Sequence, residues 1–475
     1  MPWMSRIQAS AKRLSHRPLT LSQPRSPTNV FIQQQQPQRP TMDAPSSSVD
    51  LFRGWPNPAL LPTAALAGAF ATALTTPDRC LLYGPDQGHE PLRQHIAQWL
   101  TSFYQPCRPI TSDRICITGG ASQNLACVLQ VFTDPVYTRH VWLVAPTYHL
   151  VSRIINDAGF AGRMKAVPQT ASSGVDVDFL RSALINAERE GDRPVKYKPR
   201  RPWAKIYRHV IYATPTFSNP STVSLPRANR EALVRLAREF DALIISDDVY
   251  DFLQWSADPT KPLSRPDQAH LPRLVDVDRY LDGGPKDEWG NTLSNGSFSK
   301  LIGPGARTGW AEGTAQLAYG LSQTGSSRSG GAPSHVAAAA IAELFPSGVF
   351  QRHLVEVLQP QYAQQYYRLM DAIREHLVPL GVSVPMETGG VVGGYFVWIQ
   401  LPKGVRAGEL VTRLREEGSV VVAGGNLFRV EGATAGEMND FDQYVRLCFA
   451  WETERNLVEG VRRLSKGLSK YLSNR

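Results

Sequence analysis

The sequence predicts an α/β fold: a mostly parallel central sheet with helices on both faces, plus a smaller α+β domain. The 475-residue chain is long enough for one large core and a companion domain. From residue 50 to about residue 330, short apolar runs rich in β-branched residues alternate with helical patterns, which is typical of parallel strands joined by helices. Beyond that point, one long helical pattern and a few short strands indicate a second domain.

Each element follows from these patterns in chain order. The predicted strands of the alternating region are 115–118, 141–144, 209–212, 243–246 and 295–297. The predicted helices are 63–74, 91–103, 122–132, 178–190 and 227–240. For the second domain we expect a helical stretch at 335–378, strands at 382–384 and 394–400, and a final helix at 454–472. The resulting division is a leader (1–49), a segment that packs with the small domain (50–80), a large domain that holds the chemistry (81–330) and the small domain (331–475).

Composition excludes several classes of protein. The net charge is +9, of which the first 49 residues carry +5, so the excess of +4 in the rest is too mild to predict nucleic-acid binding. The five cysteines form no C-x-x-C pair, which favours a reducing compartment and gives no metal site. The longest apolar stretch, residues 59–74, is too short to cross a membrane.

The leader is rich in Ser, Arg, Pro and Gln, so we expect residues 1–49 to be disordered. Residues 4–17 are basic and free of acids, which resembles a mitochondrial transit peptide. An untargeted leader, with Met42 as an alternative start, is the other interpretation. We therefore predict a cytoplasmic protein, with the mitochondrial matrix as the alternative.

A lysine with unusual surroundings follows the last strand of the alternating region. Ser297-Phe298-Ser299-Lys300 precedes a glycine-rich stretch, residues 303–310, that contains Arg307. A nucleophilic lysine needs a lowered pKa, which burial and nearby cations provide. Arg307 offers such a cation and a planar fork suited to phosphate, and the glycines let the backbone approach a ligand closely. Taken alone, the segment is as typical of an ordinary turn as of a site.

An acidic pair ends another predicted strand. The carboxylate of Asp247 lies at the carboxyl end of strand 243–246, and the phenol of Tyr250 follows three residues later. Ligands of open α/β sheets bind at that end. A buried acid there holds a pyridine nitrogen protonated, which makes the ring an electron sink. Taken alone, the segment fits a helix N-cap by Asp247 or Asp248 at least as well.

Two further segments contain turn signals. Residues 215–222 place Asn219-Pro220 after strand 209–212, and the amide of Asn219 can hydrogen-bond a ring oxygen or a substrate carboxylate. Residues 117–125 read as a strand, a glycine turn and a helix start at Ala121 and Ser122. Free N–H groups at a helix N-terminus form an anion site, although such a turn is weak evidence by itself.

These four segments, in this order, resemble the class I/II aminotransferases, which are fold type I, aspartate aminotransferase-like enzymes that depend on pyridoxal phosphate (PLP). The resemblance extends from about residue 51 to the C-terminus and is strongest to the branch of 2-aminoadipate and aromatic aminotransferases. That branch shows similar turns at residues 83–88, 54–57 and 393–398.

The resemblance implies roles around the cofactor ring. Lys300 resembles the Schiff-base lysine and the base that moves a proton between Cα and C4′. Asp247 resembles the partner of the pyridine nitrogen, and Tyr148 the aromatic that stacks on the ring. Tyr250 and Asn219 are then expected to hydrogen-bond the 3-oxygen of the ring.

The resemblance also implies a phosphate cup and a substrate clamp. The cup residues of the same subunit are Ala121, Ser122, Ser297, Ser299 and Arg307. Tyr83 resembles a phosphate-contacting tyrosine donated by a neighbouring subunit, so a homodimer is implied. Arg446 resembles the arginine that holds the substrate α-carboxylate, with Gly54 and Asn219 as further substrate contacts. Without the motif, an arginine on an edge strand is the alternative for Arg446.

The predicted function is amino-group transfer between an L-amino acid, aromatic or 2-aminoadipate-like, and a 2-oxo acid. No nucleic acid, membrane or metal partner is predicted. A PLP-dependent carbon–sulfur lyase or an aminocyclopropane-carboxylate-synthase-like elimination enzyme is the alternative. A ligand-sensing regulator is disfavoured, because residues 1–49 are too short and polar for a winged-helix domain. The aromatic residues Trp55, Tyr395 and Trp398 indicate an apolar pocket, or they belong to the core.

The chain departs from the family pattern in two places. Thr222 stands where the family usually has glycine, which is expected to reshape that turn while leaving Asn219 in place. The stretch 188–206 is longer and more basic than is usual, and its run Lys196 to Arg201 is interpreted as a solvated insertion rather than an anion patch. His149 and residues 326–331 lie where substrate preference is set, but they do not name a substrate.

Overall fold

An eight-stranded sheet forms the centre of the fold. The computed structural model describes residues 48–170, 174–384, 390–432 and 440–474. The predicted leader, apart from residues 48 and 49, lies outside this range. The strands are β1 (Val49–Asp50), β2 (Ile115–Thr118), β3 (Val141–Ala145), β4 (Met164–Thr170), β5 (Gly174–Val175), β6 (His209–Ala213), β7 (Ala242–Asp247), β8 (Gln254–Ser256), β9 (Thr292–Ser297), β10 (Gly309–Glu312), β11 (Val391–Gly393), β12 (Phe396–Gln400), β13 (Val420–Val421), β14 (Ala423–Gly424) and β15 (Tyr444–Cys448).

The helices cover the sheet and build the C-terminal part of the chain. They are α1 (Thr63–Ala73), α2 (Pro77–Cys80), α3 (Glu90–Tyr104), α4 (Ala121–Phe132), α5 (Val151–Ile155), α6 (Val177–Glu188), α7 (Arg227–Glu239), α8 (Leu274–Tyr280), α9 (Ala315–Ser322), α10 (Gly325–Arg328), α11 (His335–Ala342), α12 (Val349–Arg352), α13 (Gln359–His376), α14 (Ala407–Glu416) and α15 (Glu454–Ser473). None of the helices in the described ranges is long and apolar enough to span a membrane.

The strand order of the large sheet is β2-β10-β9-β7-β6-β3-β4-β5. The five strands from β9 to β4 are mutually parallel, whereas β10 runs antiparallel to both neighbours and β5 antiparallel to β4. Strands β3, β6, β7 and β9 are buried along their whole length, because helices cover both faces of the sheet. The parallel strands therefore end at one edge of the sheet, and Asp247 pairs there with Asn295.

The predicted α/β class with a mostly parallel sheet is confirmed. All five predicted strands form, with ends shifted by up to three residues, but β4, β10 and the two-residue β5 were not predicted. β4 contains Lys165 and Pro168, and β10 begins inside the glycine-rich stretch, so neither has the apolar run of a buried strand. The predicted helix 335–378 is wrong as one element: it stops at Ala342 and resumes at Val349, after Gly348 at φ 68°. The predicted strand 382–384 is reduced to one bridge between Ser383 and Gln400.

A small antiparallel sheet of order β12-β15-β14 forms the centre of the C-terminal region. The amphipathic helix α15 packs beside it, and its buried residues Leu457, Val461, Leu464 and Leu468 recur at helical spacing. Near the start of the described chain, β1 pairs in parallel with β13, and Leu51 accepts a hydrogen bond from the N–H of Cys448. The segment after residue 48 is thus attached to the C-terminal region, although the domain boundaries themselves stay a prediction.

Candidate active site

A cavity of about 470 Å³ lies at the carboxyl edge of the parallel strands. It is lined by every sequence-predicted site residue except Tyr83: Gly54, Ala121, Ser122, Tyr148, Asn219, Asp247, Tyr250, Ser297, Ser299, Lys300, Arg307 and Arg446. Tyr83 lies elsewhere, and 90% of its surface is exposed. The chain therefore brings together residues that are up to 392 positions apart along the sequence.

Lys300 enters the cavity from a tight turn after β9. The side chain of Ser297 accepts a hydrogen bond from the backbone N–H of Ser299 (3.1 Å), which caps the 3₁₀ turn that carries the lysine. The Nζ of Lys300 donates to the backbone oxygen of Gly54 (2.7 Å). Burial lowers the pKa of Lys300 to about 8, and the charge of Arg446 acts in the same direction. A substantial fraction of this amine is thus neutral near physiological pH.

Asp247 is the last residue of β7 and is buried. One carboxylate oxygen, Oδ2, accepts a hydrogen bond from the hydroxyl of Tyr212 (2.5 Å). The other, Oδ1, is buried and has no hydrogen-bond partner among the residues that the structure describes. Burial raises the pKa of Asp247 to about 7. A buried carboxylate oxygen without a partner is costly, so this position suits a ligand that donates a hydrogen bond, such as a protonated ring nitrogen.

The N-terminus of α4 faces the cavity beside Arg307. Gly120, at φ 96°, precedes the helix, and a Cβ at this position would lie 3.0 Å from a guanidinium nitrogen of Arg307. That nitrogen donates to the backbone oxygen of Gly119 (2.8 Å). Free N–H groups of the first helical turn and an adjacent guanidinium form a site for an anion.

Hydroxyl groups complete this anion site. Ser297 donates to Ser299 through their side chains (2.9 Å), and both residues line the same cavity. Asn295, from β9, donates to the backbone oxygen of Ala121 (3.1 Å) and so fixes the start of α4 against the sheet. A helix start, two hydroxyls and an arginine fit the phosphate group of PLP.

Arg446 also lines the cavity. It lies in β15, which is the central strand of the small sheet, so the interpretation as an edge-strand arginine is wrong. Its guanidinium donates to the side-chain oxygen of Asn219 and the backbone oxygen of Phe52, both at 2.7 Å. Its Nε has no hydrogen-bond partner in the described part of the chain, and burial lowers the pKa of Arg446 to about 10. A buried guanidinium that lacks a carboxylate partner suits an anionic ligand.

Aromatic groups surround the space between these charges. Tyr250 is buried, and its ring centroid lies 5.9 Å from the Nζ of Lys300. Tyr148 lines the cavity edge-on to His149, with ring centroids 5.4 Å apart. Burial and the charge of Arg446 lower the pKa of His149 to about 4, so its imidazole is neutral. Of the aromatic residues interpreted as pocket or core, Trp55 lines the cavity, whereas Tyr395 and Trp398 belong to the buried core.

Sequence reasoning missed several residues that line this cavity, among them Tyr212 and Arg53. Tyr212 was taken as the apolar end of a strand, but its hydroxyl bonds Asp247. The rule that ligands bind at the carboxyl ends of strands would have found it, because Tyr212 and Asp247 lie near the ends of adjacent parallel strands. Arg53, which also lines the cavity, carries no motif.

The two departures from the family pattern have structural counterparts. Thr222 adopts the left-handed conformation (φ 63°), and its N–H donates to the backbone oxygen of Ser218 (2.7 Å). The turn therefore forms around a β-branched residue in a conformation that favours glycine. In the insertion, the Nζ of Lys198 donates to the backbone oxygens of Leu129 (3.1 Å) and Thr133. One residue of the insertion is thus anchored at the C-terminal end of α4, rather than solvated.

Comparison with known proteins identifies the family. Residues 57–464 match the model of the family described as aminotransferase class I and II. The chain is 28% identical to the 2-aminoadipate transaminase of Thermus thermophilus, covering 88% of this chain and 90% of that protein. It is 25% identical to aromatic-amino-acid aminotransferase 1 of Thermococcus litoralis, covering 89% and 88%.

A solved structure supports the same assignment. The α-aminoadipate aminotransferase of Thermus thermophilus, complexed with N-(5′-phosphopyridoxyl)-L-leucine, is 26% identical, covers 90% of this chain and 94% of that chain, and superposes with a TM-score of 0.70. These relatives do not favour the carbon–sulfur lyase alternative. The chain belongs to the class I and II aminotransferases, and it is a PLP-dependent transaminase of fold type I.

Proposed function

We propose that Lys300 holds the cofactor and moves the proton in a two-step exchange of an amino group between an L-amino acid and a 2-oxo acid. The observation that carries this assignment is the meeting, in one cavity, of an amine whose pKa burial lowers to about 8 and a carboxylate with one partnerless oxygen. PLP, when bound, supplies an electron sink for the negative charge that develops at the substrate Cα. The protein supplies position, charge and a base.

In this proposal each residue around the cofactor ring has its own role. The neutral amine of Lys300 takes the proton from Cα and returns it to C4′ of the cofactor. Oδ1 of Asp247 accepts the N–H of the ring nitrogen, while Tyr250 and Asn219 bond the ring 3-oxygen. Tyr148 stacks on the ring and limits its tilt.

The remaining residues hold the two anionic groups. Arg446 binds the α-carboxylate of the substrate with its planar guanidinium, and Gly54 contributes backbone next to the reacting amine. The phosphate is held by the anion site described above, with its residues Ala121, Ser122, Ser297, Ser299 and Arg307. Fixing both ends keeps Cα within reach of Lys300, which lowers the entropic part of the barrier.

Substitution of Lys300 tests the assignment. Lys300→Ala is expected to reduce turnover by about 10³-fold or more, since it removes the base. It is also expected to abolish the absorbance band of covalently held cofactor. Lys261→Ala removes an exposed lysine outside the cavity and serves as the matched control. Full turnover by Lys300→Ala would refute the proposal.

The substrate proposal rests on the named relatives. We expect 2-aminoadipate or an aromatic amino acid as the donor, because the similar enzymes bear those names. A panel of amino donors with 2-oxoglutarate and pyruvate, followed by product identification, tests it. A new amino acid as the product indicates transfer, whereas ammonia or pyruvate released from a cysteine conjugate indicates elimination.

The proposed assembly is a homodimer in which each subunit donates Tyr83 to the phosphate of the other. Tyr83 is exposed and follows two exposed apolar residues, Leu81 and Leu82, which suits a surface covered by a second copy. Analytical ultracentrifugation should give twice the chain mass. Mixing Lys300→Ala with Tyr83→Ala subunits should restore activity, because one of the two sites in a mixed dimer is then intact. A monomer with full activity would exclude this arrangement.

The proposed compartment is the cytoplasm, with the mitochondrial matrix as the alternative. All five cysteines are free, as expected of thiols in a reducing environment. Fluorescent fusions with and without residues 1–41 distinguish the two compartments.

A further inference from the structure

Arg53 lies between the two backbone groups that touch the reactive side chains. The carbonyl of Phe52, the residue before it, accepts a hydrogen bond from Arg446 (2.7 Å). The carbonyl of Gly54, the residue after it, accepts one from Lys300 (2.7 Å). Since consecutive Cα atoms are about 3.8 Å apart, the side chain of Arg53 leaves the backbone one residue away from each contact.

The segment that carries Arg53 is held in place. The side-chain oxygen Oδ1 of Asp50 accepts the backbone N–H groups of Phe52 (3.0 Å) and Arg53 (2.9 Å). This turn fixes the direction in which the arginine leaves the backbone. Both Asp50 and Arg53 line the cavity.

Two tryptophans pack against the guanidinium of Arg53. The Cζ of Arg53 lies 4.9 Å from the ring centroid of Trp55 and 4.8 Å from that of Trp451, and the two rings meet edge-to-face at 6.1 Å. Cation–π attraction to both rings holds the guanidinium at this place, and its N–H groups remain donors for a carboxylate. The side chain of Arg53 is 41% exposed, so these groups are accessible at the cavity mouth.

Arg53 is the cationic residue of the cavity lining that has no role in the proposed function. Among the described residues that line it, two carry carboxylates, Asp50 and Asp247, and four are lysine or arginine: Arg53, Lys300, Arg307 and Arg446. In the proposed function, the last three act on the reaction, the phosphate and the α-carboxylate. The only ion-pair partner of Arg53 in the described ranges is Asp50, at 3.5 Å, and Oδ1 of Asp50 already accepts two N–H groups. The lining therefore carries two more cationic than anionic side chains, and the ion pair of Arg53 engages only the Nε side of its guanidinium.

We propose that Arg53 binds the distal carboxylate of dicarboxylic substrates, and so selects five- and six-carbon diacids as amino donor or 2-oxo acceptor. This inference rests on the proposed function, because it takes Arg446 as the α-carboxylate clamp. An extended chain covers about 3.5 Å per three bonds, so the two carboxylates of such a substrate lie roughly 5–6 Å apart. Arg446 donates to the carbonyl of Phe52, the residue before Arg53, and both arginines line the same cavity, so one short diacid is proposed to bind both.

The test compares two acceptors of similar length that differ in the distal group, 2-oxoglutarate and 2-oxohexanoate. In PLP-loaded enzyme, Arg53→Met is expected to lower kcat/KM for 2-oxoglutarate by about 10- to 100-fold, chiefly through KM, because a charge-assisted bidentate contact is lost. The value for 2-oxohexanoate should change less than about threefold. Arg53→Lys should fall between wild type and Arg53→Met for 2-oxoglutarate. Arg265→Met removes an exposed, aspartate-paired arginine outside the cavity and controls for general loss of charge.

A second measurement needs no variant. Glutarate should inhibit the wild-type enzyme competitively and at least about tenfold more tightly than pentanoate, which lacks the second carboxylate. Equal losses for both acceptors in Arg53→Met, or equal inhibition by glutarate and pentanoate, would overturn the role of Arg53. Those outcomes leave transamination itself intact. Failure of the proposed function shows differently, as full turnover by Lys300→Ala or as absence of amino transfer to every acceptor.

Discussion

If Asp247 pairs with the ring nitrogen of the cofactor as proposed, loss of the Tyr212 hydroxyl should weaken that pairing. Tyr212→Phe removes the 2.5 Å hydrogen bond to Oδ2 and leaves the buried ring in place. A hydrogen bond to a charged acceptor contributes about 1.5–3 kcal/mol, and one pKa unit corresponds to about 1.4 kcal/mol. The pKa of Asp247, which burial already raises to about 7, should therefore rise by a further one to two units in the cofactor-free protein.

The consequence depends on pH in a defined direction. At pH 7.5 the ionised fraction of Asp247 should fall from about three quarters to a quarter or less. Because only the carboxylate attracts a protonated ring nitrogen, PLP affinity should fall on the acid side, and the acid limb of the affinity profile should move to higher pH. We expect kcat at pH 7.5 to fall about 10-fold or more.

The assay is PLP affinity and kcat measured from pH 5.5 to 9.5 for wild type and variant. Tyr207→Phe is a matched control, since it removes another buried tyrosine hydroxyl, which donates to the backbone oxygen of Gly290 (2.6 Å) outside the cavity. If Tyr212→Phe shifts the acid limb no more than Tyr207→Phe does, then Tyr212 does not tune Asp247, and the reasoning from this contact is wrong.

Three further predictions concern single residues. Because burial lowers the pKa of Lys300 to about 8, and the neutral amine is the nucleophile, the rate of covalent PLP capture followed by absorbance should rise with pH and level off above about pH 8; a midpoint near the ordinary value of 10.5 would contradict this. Thr222→Gly should stabilise the protein by about 1 kcal/mol in urea unfolding, because it removes a β-branched residue from the left-handed region. Thr222→Ala keeps a Cβ there, and an equal gain from it would point to another cause. Arg446→Lys should raise KM by about 10-fold or more for 2-oxoglutarate and 2-oxohexanoate alike, since both share the α-carboxylate; an effect confined to one acceptor would disprove the clamp.

The sequence predicted those parts of the site that follow from local order along the chain. Asp247 ends one buried strand and Lys300 follows another, and the rule that parallel strands end at one edge is enough to bring them together. Most of the predicted cavity residues share this property: they stand in a strand–turn segment that can be recognised without knowing the rest of the fold. Tyr83 does not stand in such a segment, and it lies outside the cavity. Its proposed role in a second subunit stays a prediction.

The sequence did not predict contacts that depend on pairing between distant segments. Arg446 was open to interpretation as an edge residue, because the positions of β12 and β14 on either side of its strand are set by long-range hydrogen bonds. The carboxyl-end rule marks the position of Tyr212, but its hydrogen bond to Asp247 depends on the pairing of two strands. Arg53 also packs against Trp451, which is almost 400 residues away along the chain.

Because Lys198 is anchored at one end of α4, the attachment of this helix can change while the cavity at its other end stays the same. Helix α4 contains 12 residues and is therefore about 18 Å long. Its N-terminus faces the cavity, and Lys198 bonds to backbone oxygens at its C-terminal end. A cation at that end favours the helix dipole. Replacing the insertion with a shorter loop would remove this anchor and leave every cavity-lining residue unchanged. Exchange of this loop is thus expected to change how firmly α4, the helix proposed to bind the phosphate, is held, without changing the cavity residues at its other end.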